Sequence, residues 1–334
     1  MGAKKFDVLA FGMVYCDIPI FPVPRDLFSR ALYEVEYAQM TTGGDALNVA
    51  TTIAKLGGHA AAAGRVADDL FGHFVIQSAQ ENQVDMSMVR IDQSGLPTST
   101  VFNLVKADSD RHALTTQSVN VNLTSEDLAD HEIGQTSLLY FGSALNFSQM
   151  DQGEITKLFR RAHALGVSTA MDTSIANHYQ NGGEALELLT DVLPHTDIFI
   201  PSLQELGWLF DGEKDVKALT RAMEPFGLKV FGVKLGSRGS FITDFQNAYF
   251  FSACEDVIPK DSTGCGDAYF GAFLFAYQKG WSIQECGQLA TVVSGLNLTA
   301  VGATRGVPTF EEAMGYLRAH PIQTEIITYD EFRK

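Results

Sequence analysis

The chain has few cysteines, the residues that cross-link small secreted domains and bind structural metal ions. Its 334 residues include four cysteines, none of them in a C-x-x-C pair: Cys16, Cys254, Cys265 and Cys286. This spacing argues against a zinc or disulfide framework. The N-terminus enters a strand-like run without a long apolar signal segment, and no later apolar run is long enough to span a membrane. We therefore expect a cytoplasmic protein with reduced thiols.

Basic residues are also scarce. Lysine and arginine number 24 against 40 aspartates and glutamates, which gives a formal net charge of −16. Nonspecific binding to nucleic acid or to an anionic membrane needs a basic surface, so we expect neither partner. A small anionic substrate stays open, because local backbone N–H groups and a metal ion can override the net charge.

The rest of the composition is that of an ordinary globular protein, with 46% hydrophobic and 19% charged residues. Because no linker, repeat or low-complexity segment interrupts it, we predict one domain over residues 1–334. From residue 136, strand-like runs at 138–141, 167–171 and 198–200 alternate with helical segments. This alternation predicts parallel βαβ units and therefore an α/β fold.

The first third of the chain gives weaker signals. Phe6–Gly12 predicts a buried first strand, and residues 33–38 alternate as a half-buried strand does. Residues 17–24 hold three prolines, so we expect an exposed edge or lid there and not a central strand. Residues 97–105 and 111–114 predict a hairpin around Asp108–Asp110. The tail after Pro321 carries no pattern that predicts structure.

A glycine-rich segment, Pro259–Asp267, leads directly into an apolar run of helical length. Glycines let backbone N–H groups converge, and the helix start adds unpaired N–H groups and its positive dipole end. This combination favours a phosphate-binding site. Asp267 on the first helical turn can accept a proton from a substrate hydroxyl beside that site. The alternative is an ordinary tight turn with an acidic first-turn residue.

Two further glycine-rich turns lie next to predicted helices or strands. Thr42–Ala50 combines a Gly-Gly turn with a helix that stops at Gly57 and Gly58, although such a turn alone is a weak signal. Lys234–Gly239 is a glycine-rich turn between two strands. Asp69, at the start of a helix that reaches about Asn82, is most simply an N-cap.

These motifs, in this order, resemble those of the PfkB-type (ribokinase-family) carbohydrate kinases over residues 6–320. The matching elements are Gly-Gly-x-x-x-Asn, a lid hairpin, Lys-x-Gly-x-x-Gly and Gly-x-Gly-Asp. The resemblance implies a ribokinase-like three-layer α/β/α domain with a mainly parallel central sheet. It also implies a small β-sheet lid, formed by about 13–41 and 97–116, that closes over the sugar and can pair two subunits into a homodimer.

The resemblance assigns roles position by position. Asp267 would be the catalytic base, beside an anion hole of backbone N–H groups at Gly264, Cys265 and Gly266. The positions that match sugar ligands are Asp17, Gly43, Gly44, Asp45, Asn48 and Asn103. The positions that match the ATP-binding turn are Lys234, Gly236, Ser237 and Gly239.

The resemblance also implies two cations besides ATP. Glu205 would organise water on Mg²⁺, with a plain surface glutamate as the alternative. A monovalent cation, K⁺, would bind at Asp261, Thr263, Asn297, Ala300 and Gly302.

Several positions depart from the family pattern. Ser262 and Cys265 replace the common Thr and Ala, but both remain small, so a backbone anion site survives. Ser202 replaces an Asn before Glu205, which makes the organisation of the metal less secure. Residues 171–174 lack the family's Asp-Pro-Asn-x-Arg, and Asp45 stands where ribokinases have Lys. Binding of an anionic substrate would require cationic side chains at this turn, and Asp45 stands there instead. We therefore predict a neutral polyhydroxyl substrate.

Three hypotheses follow. The first is an ATP-dependent kinase for a free sugar or sugar-like polyol. The second is a nucleoside kinase of the same family, whose base slot could use the lid aromatics Phe21, Tyr33, Tyr37 and Phe102. The third is a non-catalytic sugar-binding protein on the same fold.

Overall fold

The computed structural model describes residues 4–107, 111–174, 179 and 181–334. The turn predicted at Asp108–Asp110 lies outside the described residues. The strands of the described chain are β1 (Phe6–Phe11), β2 (Tyr15–Phe21), β3 (Tyr37–Ala38), β4 (Thr41–Gly43), β5 (Ala60–Ala67), β6 (Asp85–Asp92), β7 (Thr100–Val105), β8 (Arg111–Thr115), β9 (Thr136–Ala144), β10 (Ser168–Thr173), β11 (Ile198–Phe199), β12 (Val230–Lys234), β13 (Ser240–Thr243), β14 (Asn247–Phe251) and β15 (Thr324–Thr328).

The helices begin and end at caps that the sequence provides. Asp69, Ser202 and Ser282 each accept a hydrogen bond from a backbone N–H of the first turn, so the predicted cap at Asp69 is confirmed. The α-helices are α1 (Asp45–Lys55), α2 (Leu70–Glu81), α3 (Asp130–Ile133), α4 (Ile155–Ala164), α5 (Gly182–Val192), α6 (Leu203–Leu209), α7 (Val216–Met223), α8 (Cys265–Gln278), α9 (Ile283–Asn297), α10 (Phe310–Ala319) and α11 (Tyr329–Phe332).

A ten-stranded sheet forms the middle layer, in the order β15-β14-β13-β12-β11-β10-β9-β1-β5-β6. The strands from β6 to β12 pair in parallel, and β13, β14 and β15 continue the sheet in antiparallel fashion. Parallel strands put their carboxyl ends at one edge of the sheet, where ligands bind in open α/β folds.

Two separate cores cover the faces of this sheet. Along β1, Val8 and Ala10 join the core made with α1, α8 and α9, whereas Leu9 and Phe11 join the core made with α4 and α5. Successive strand residues point to opposite faces, so both faces are apolar. The predicted α/β/α layering with a mainly parallel sheet is therefore confirmed.

A second, smaller sheet contains β3, β2, β7 and β8 in that order, with β4 also paired to β2. The prediction that residues 17–24 cannot form a central strand was wrong, because β2 has neighbours on both sides. Pro19 is tolerated since β4 pairs only as far as Asp17 and β3 begins at Ile20. The N–H that proline lacks therefore faces the gap between these two partners.

The structure differs from the sequence predictions at other places as well. The predicted strand at residues 33–38 shortens to β3. The helical segment predicted between the runs at 138–141 and 167–171 forms α4, which begins at Ile155 after a kink at Gly153. The alanine-rich strand β5 and its neighbour β6 were not predicted. The tail forms β15 and α11, where Phe332 stacks on Phe241 with ring centroids 5.0 Å apart.

Candidate active site

The glycine-rich segment places the N-terminus of α8 at the carboxyl edge of the large sheet. Gly264 is the N-cap in the left-handed region, with φ of 69°, and a Cβ there would clash with the carbonyl oxygen of Ala303. Among the described residues, the backbone N–H groups of Gly264 and Gly266 donate to no other backbone group, whereas Cys265 N–H lies 3.3 Å from the Ser262 carbonyl. The helix start therefore keeps donors for an anion.

Asp267 lies on the first turn of α8 and contacts the other glycine motif directly. Asn48 of α1 donates from Nδ2 to Asp267 Oδ2 at 2.7 Å, across 219 residues of sequence. The helices come this close because Gly271 has no side chain: a Cβ there would lie 2.8 Å from Thr52 Cβ. The structure thus joins the predicted sugar-binding and catalytic motifs.

Removal from water raises the pKa of Asp267 well above its ordinary value. The nearby carboxylate of Asp45 raises it further, against the hydrogen bond from Asn48 and the charge of Lys234. A carboxylate with a raised pKa is a stronger base, so this environment suits proton abstraction from a hydroxyl.

Lys234 is the cation of the site. It ends β12 and forms an ion pair with Asp172 near the end of β10, and both side chains are largely buried. A Cβ on Gly266 would lie 3.3 Å from Lys234 Nζ, so the ammonium group stands against the start of α8. Burial lowers the pKa of Lys234, but the carboxylates of Asp172 and Glu205 outweigh this effect and raise it overall.

Besides Asp172, the carboxylate of Glu205 also acts on this lysine. Burial raises the pKa of Asp172 and of Glu205, while the charge of Lys234 opposes the rise in both. Glu205 is half-buried and closes a capping box, accepting from Ser202 N–H at 2.7 Å. Because an ordinary first-turn glutamate also forms such a cap, the metal role of Glu205, with a plain surface glutamate as the alternative, stays a prediction. The carboxylate oxygens of Asp172 and Glu205 are ligands of the kind that Mg²⁺ prefers. Among the residues described, however, no three His, Cys, Asp or Glu side chains form a preformed metal cluster.

The other wall of the site comes from the small sheet and the start of α1. Asp17 on β2 is fully buried and accepts a hydrogen bond from Asn103 Nδ2 on β7 at 2.6 Å. The alternative of an exposed edge-strand charge is therefore wrong. A Cβ on Gly43 would clash with the Tyr15 ring, and one on Gly44 with the Met13 carbonyl. The chain can turn here only because these positions are glycine.

Ser143 was not identified from the sequence. It lies near the carboxyl end of β9 in the left-handed region, with φ of 58°, and its hydroxyl is hydrogen-bonded to Asp45. A strained residue at the carboxyl end of a strand marks functional sites, but this conformation is not visible in a sequence. Asp172 was visible only as part of a segment that departs from the family motif. The sequence signal that could have identified Asp172 was its position at the end of a predicted strand.

A cleft of about 510 Å³ opens beside α8. Most of its exposed lining is apolar, as expected for a nucleobase site. It brings together the glycine turn after β12, the start of α8 and one side of α9; the lining residues include Gly236, Ser237, Gly239, Ser262, Cys265 and Ser294.

The loop at Asp261 is held by its own carboxylate. Asp261 accepts from Thr263 N–H and from Gly302 N–H, both at 2.9 Å. Asn297 donates to the Ala303 carbonyl at 2.8 Å, and its buried Oδ1 has no partner within the described structure. Ala300 lies just beyond the end of α9, between these groups in the sequence. The residues predicted for a monovalent cation therefore lie at the end of α9, in the segment that follows it and in the loop before α8.

Sequence comparison now identifies the class of protein that this fold and site define. The family model for the pfkB family carbohydrate kinases matches residues 7–310. The chain belongs to this family, and it is a carbohydrate kinase with a ribokinase-like fold. No helix in the described parts of the chain is long and apolar enough to cross a membrane.

Known relatives agree with this class. A 5-dehydro-2-deoxygluconokinase from Geobacillus kaustophilus is 23% identical over 324 residues, covering 95% of each chain. A putative ribokinase II from E. coli, solved with ATP and Mg²⁺, superposes with a TM-score of 0.82 at 20% identity, covering 96% of this chain and 100% of that one. A fructokinase double mutant from Vibrio cholerae O395, solved with fructose, ADP and potassium ion, superposes with a TM-score of 0.79 at 22% identity, covering 95% of this chain and 100% of that one.

Proposed function

We propose that the protein transfers the γ-phosphoryl group of ATP to a hydroxyl of a free sugar or sugar-like polyol, with Asp267 as the base. The contact between Asn48 and Asp267 carries this proposal. It sets the carboxylate between the glycine turn expected to hold the sugar and the helix start expected to hold the phosphates. A hydroxyl placed there can lose its proton as the phosphoryl group arrives.

The step conserves atoms and charge as follows. The sugar oxygen forms a bond to the γ-phosphorus while the bond from that phosphorus to the β,γ-bridging oxygen breaks. The hydroxyl proton moves to Asp267, and ADP leaves with the bonding electron pair. Backbone N–H groups at the start of α8, with Lys234 against Gly266, stabilise the charge on the transferred group.

The residues present fit the two implied cations. Asp172 and Glu205 would provide carboxylate oxygens, directly or through water, for Mg²⁺, which neutralises the phosphate charge when bound. The Asp261 loop would hold K⁺. The buried Oδ1 of Asn297, which has no partner within the described structure, supports this assignment because it is an oxygen ligand left available.

Two observations support the choice of substrate: the carboxylates at the sugar positions favour a neutral hydroxyl-bearing molecule over an anionic one, and two of the four aromatics considered for a base slot have other contacts. Asp17 and Asp45 take hydrogen bonds from the uncharged groups of Asn103 and Ser143, and such carboxylates also accept bonds from sugar hydroxyls. Of the aromatics considered for a base slot, Tyr37 lies under Arg305, at 5.2 Å from guanidinium to ring centroid. Tyr33 bonds to Ser29.

The test is ADP release with ATP and Mg²⁺ against fructose, other neutral sugars, polyols, 5-dehydro-2-deoxygluconate, sugar phosphates and nucleosides. We expect turnover on a neutral sugar, and a loss of about 10³-fold in kcat for Asp267→Asn. Asp330→Asn, on the exposed surface of α11, is the matched control and should keep full activity. Turnover confined to acidic or phosphorylated substrates would contradict the neutral pocket, and an active Asp267→Asn would contradict the assigned base.

A further inference from the structure

At the carboxyl end of β9 the chain enters a turn that contains two residues in the left-handed region. Ser143 has φ of 58° and Leu145 has φ of 73°, and neither is a glycine. Residues with a Cβ adopt this conformation at a cost, so surrounding contacts must enforce it. Within the part of the chain that the structure describes, the other non-glycine residues with positive φ lie far from one another in the sequence. We call residues 143–147 the Ser143 turn.

A buried carboxylate holds this turn from one side. Asp151, in the kinked segment before α4, accepts from Leu145 N–H and from Phe147 N–H, both at 2.8 Å. The hydroxyl of Tyr179 donates to the same carboxylate at 3.1 Å. Hydrogen bonds to a charged acceptor are strong, and burial strengthens them further. Asp151 therefore fixes the backbone on which the strained residues lie.

The other side of the turn reaches the candidate active site. The Ser143 hydroxyl donates to the carboxylate of Asp45, the first residue of α1. Gly142 makes room for this contact, because a Cβ on Gly142 would lie 2.7 Å from Asp45 Cβ. Asn146 N–H donates to the Ser143 carbonyl at 3.1 Å and ties Ser143 to the middle of the turn. The turn thus connects Asp151 with Asp45.

The strained backbone explains how Ser143 reaches α1. Side chains alternate between the two faces of a strand, and Leu139 and Phe141 of β9 lie in the core made with α4 and α5. In a regular strand Ser143 would point to that same face, whereas α1 packs on the opposite one. The left-handed conformation of Ser143 redirects its hydroxyl toward Asp45. Without the hydrogen bonds from the turn to Asp151, extended backbone would be the favoured state.

The position of Asp45 affects both the expected sugar site and the proposed base. Burial raises the pKa of Asp267, and the nearby charge of Asp45 raises it further. Asp45 is also one of the residues expected to accept hydrogen bonds from the sugar. The bond from Ser143 restrains the Asp45 side chain before the sugar arrives, and such preorganisation lowers the entropic cost of binding.

From these contacts we propose that Asp151 is a positioning residue for sugar binding, which acts through the Ser143 turn to hold Asp45 in place. This inference rests on the proposed function, in which Asp45 contacts the sugar. Asp151 engages the backbone of the turn and Tyr179, so its effect on the sugar passes through Ser143. ATP is expected at the start of α8 and at the glycine turn after β12, so its binding should not depend on Asp151.

Steady-state kinetics test this link with D-fructose or, if fructose is not phosphorylated, with the neutral sugar of the panel that is turned over best. Asp151→Asn keeps the shape of the side chain but cannot accept both N–H bonds. We expect its KM for the sugar to rise about tenfold, with kcat and the KM for ATP within about twofold of the wild type. Ser143→Ala should raise the sugar KM by a similar factor.

The double variant Asp151→Asn, Ser143→Ala distinguishes a shared link from two separate defects. We expect its sugar KM to equal that of Ser143→Ala, because both changes break the same connection to Asp45. Independent effects would multiply to about 100-fold and would overturn the proposal. An unchanged sugar KM in Asp151→Asn would overturn it as well.

Asp197→Asn is the matched control for lost stability. Asp197 is also buried and accepts from a backbone N–H, that of Thr169, but it precedes β11 and so lies at the opposite edge of the sheet. This variant should be less stable than the wild type and keep its sugar KM. Equal increases in the sugar KM for Asp151→Asn and Asp197→Asn would show that general destabilisation, and not the position of Asp45, weakens sugar binding.

Denaturant unfolding of the ligand-free protein separates this inference from the proposed function. The shift in the unfolding midpoint caused by Asp151→Asn should be smaller in an Asp45→Ala background, because the far end of the connection is already lost there. Equal shifts in both backgrounds would overturn the inference whether or not a sugar is phosphorylated. A smaller shift without turnover of any sugar would support the link and contradict the proposed function alone.

Discussion

The proton on Asp267 links the chemistry of the site to the stability of the fold. Its pKa is raised in the folded protein, so the folded state holds this proton more tightly than the unfolded state. The resulting stability is present below the ordinary aspartate pKa and is lost as pH rises through the raised value. Without ligands, the folded protein is therefore less stable above the raised pKa of Asp267 than below the ordinary aspartate pKa.

We accordingly expect Asp267→Asn to unfold about 2–4 °C above the wild type at about pH 8, with a smaller difference at about pH 5. Thermal unfolding of the ligand-free proteins at both values measures this. The control Asp330→Asn should show no such pH dependence, because its side chain is exposed. A variant that is less stable than the wild type at about pH 8 would show that the charge on Asp267 stabilises the fold.

Lys234 should affect rate more than ATP binding. Its ammonium group stands at the start of α8, where the proposed phosphoryl transfer would develop negative charge. We expect Lys234→Met to lower kcat about 10²-fold with a smaller change in the KM for ATP. Lys229→Met, an exposed lysine one residue before β12, is the matched control. A kcat within about twofold of the wild type would remove Lys234 from the mechanism.

At the level of single elements, the start of α8 depends on a glycine more strictly than its end does. Gly264 and Gly280 both have positive φ, 69° and 76°. A Cβ on Gly264 would clash with the Ala303 carbonyl, whereas one on Gly280 meets nothing within 4 Å. Gly264→Ala should therefore abolish most activity, because relief of the clash moves the phosphate-binding turn.

Gly280→Ala is the control for backbone strain alone. It should cost about 1 kcal/mol of stability and leave kcat unchanged. Denaturant unfolding and ADP release measure the two effects. Equal losses in both variants would mean that left-handed strain, and not contact with Ala303, determines the role of Gly264.

Elements with strong local signals were predictable from the sequence, and those defined by tertiary contacts were not. The helices capped by Asp69, Ser202 and Ser282 carry their own start signals. Strand β5 begins with four alanines, which have low strand propensity, and it forms because parallel neighbours bury it on both sides. Residues 324–332 are held by the pairing of β15 with β14 and by the packing of Phe332 on Phe241, which are both contacts between distant parts of the sequence.

The same division applies to the site. The order of motifs indicated Asp267 and Asn48, and the structure shows them in contact. The pairing of Lys234 with Asp172 was hidden, because it joins the ends of two strands that are separated in the sheet by β11. A single sequence gives no register between such strands, so side chains that meet across them remain unassigned.

At the scale of the whole molecule, the small sheet carries apolar side chains that the described chain does not cover. Phe28 and Leu32, in the segment between β2 and β3, are 97% and 80% exposed, and Leu114 on β8 is 59% exposed. Exposed apolar side chains that gather on one part of a molecule mark an interaction surface. We expect a second copy of the chain to cover them, as in a homodimer formed through the lid.

Light scattering coupled to size-exclusion chromatography measures the oligomeric state. We expect the wild type at twice the chain mass of 36.4 kDa and the double variant Phe28→Glu, Leu32→Glu at the chain mass. Ile258→Glu is the matched control: this side chain is 81% exposed but lies beside the cleft at α8 and not on the small sheet, so the dimer should persist. Since a pair of copies would restrain the small sheet over the sugar, the double variant should also raise the KM for the sugar. A wild-type mass equal to that of one chain would contradict the dimer and would mean that each lid closes independently.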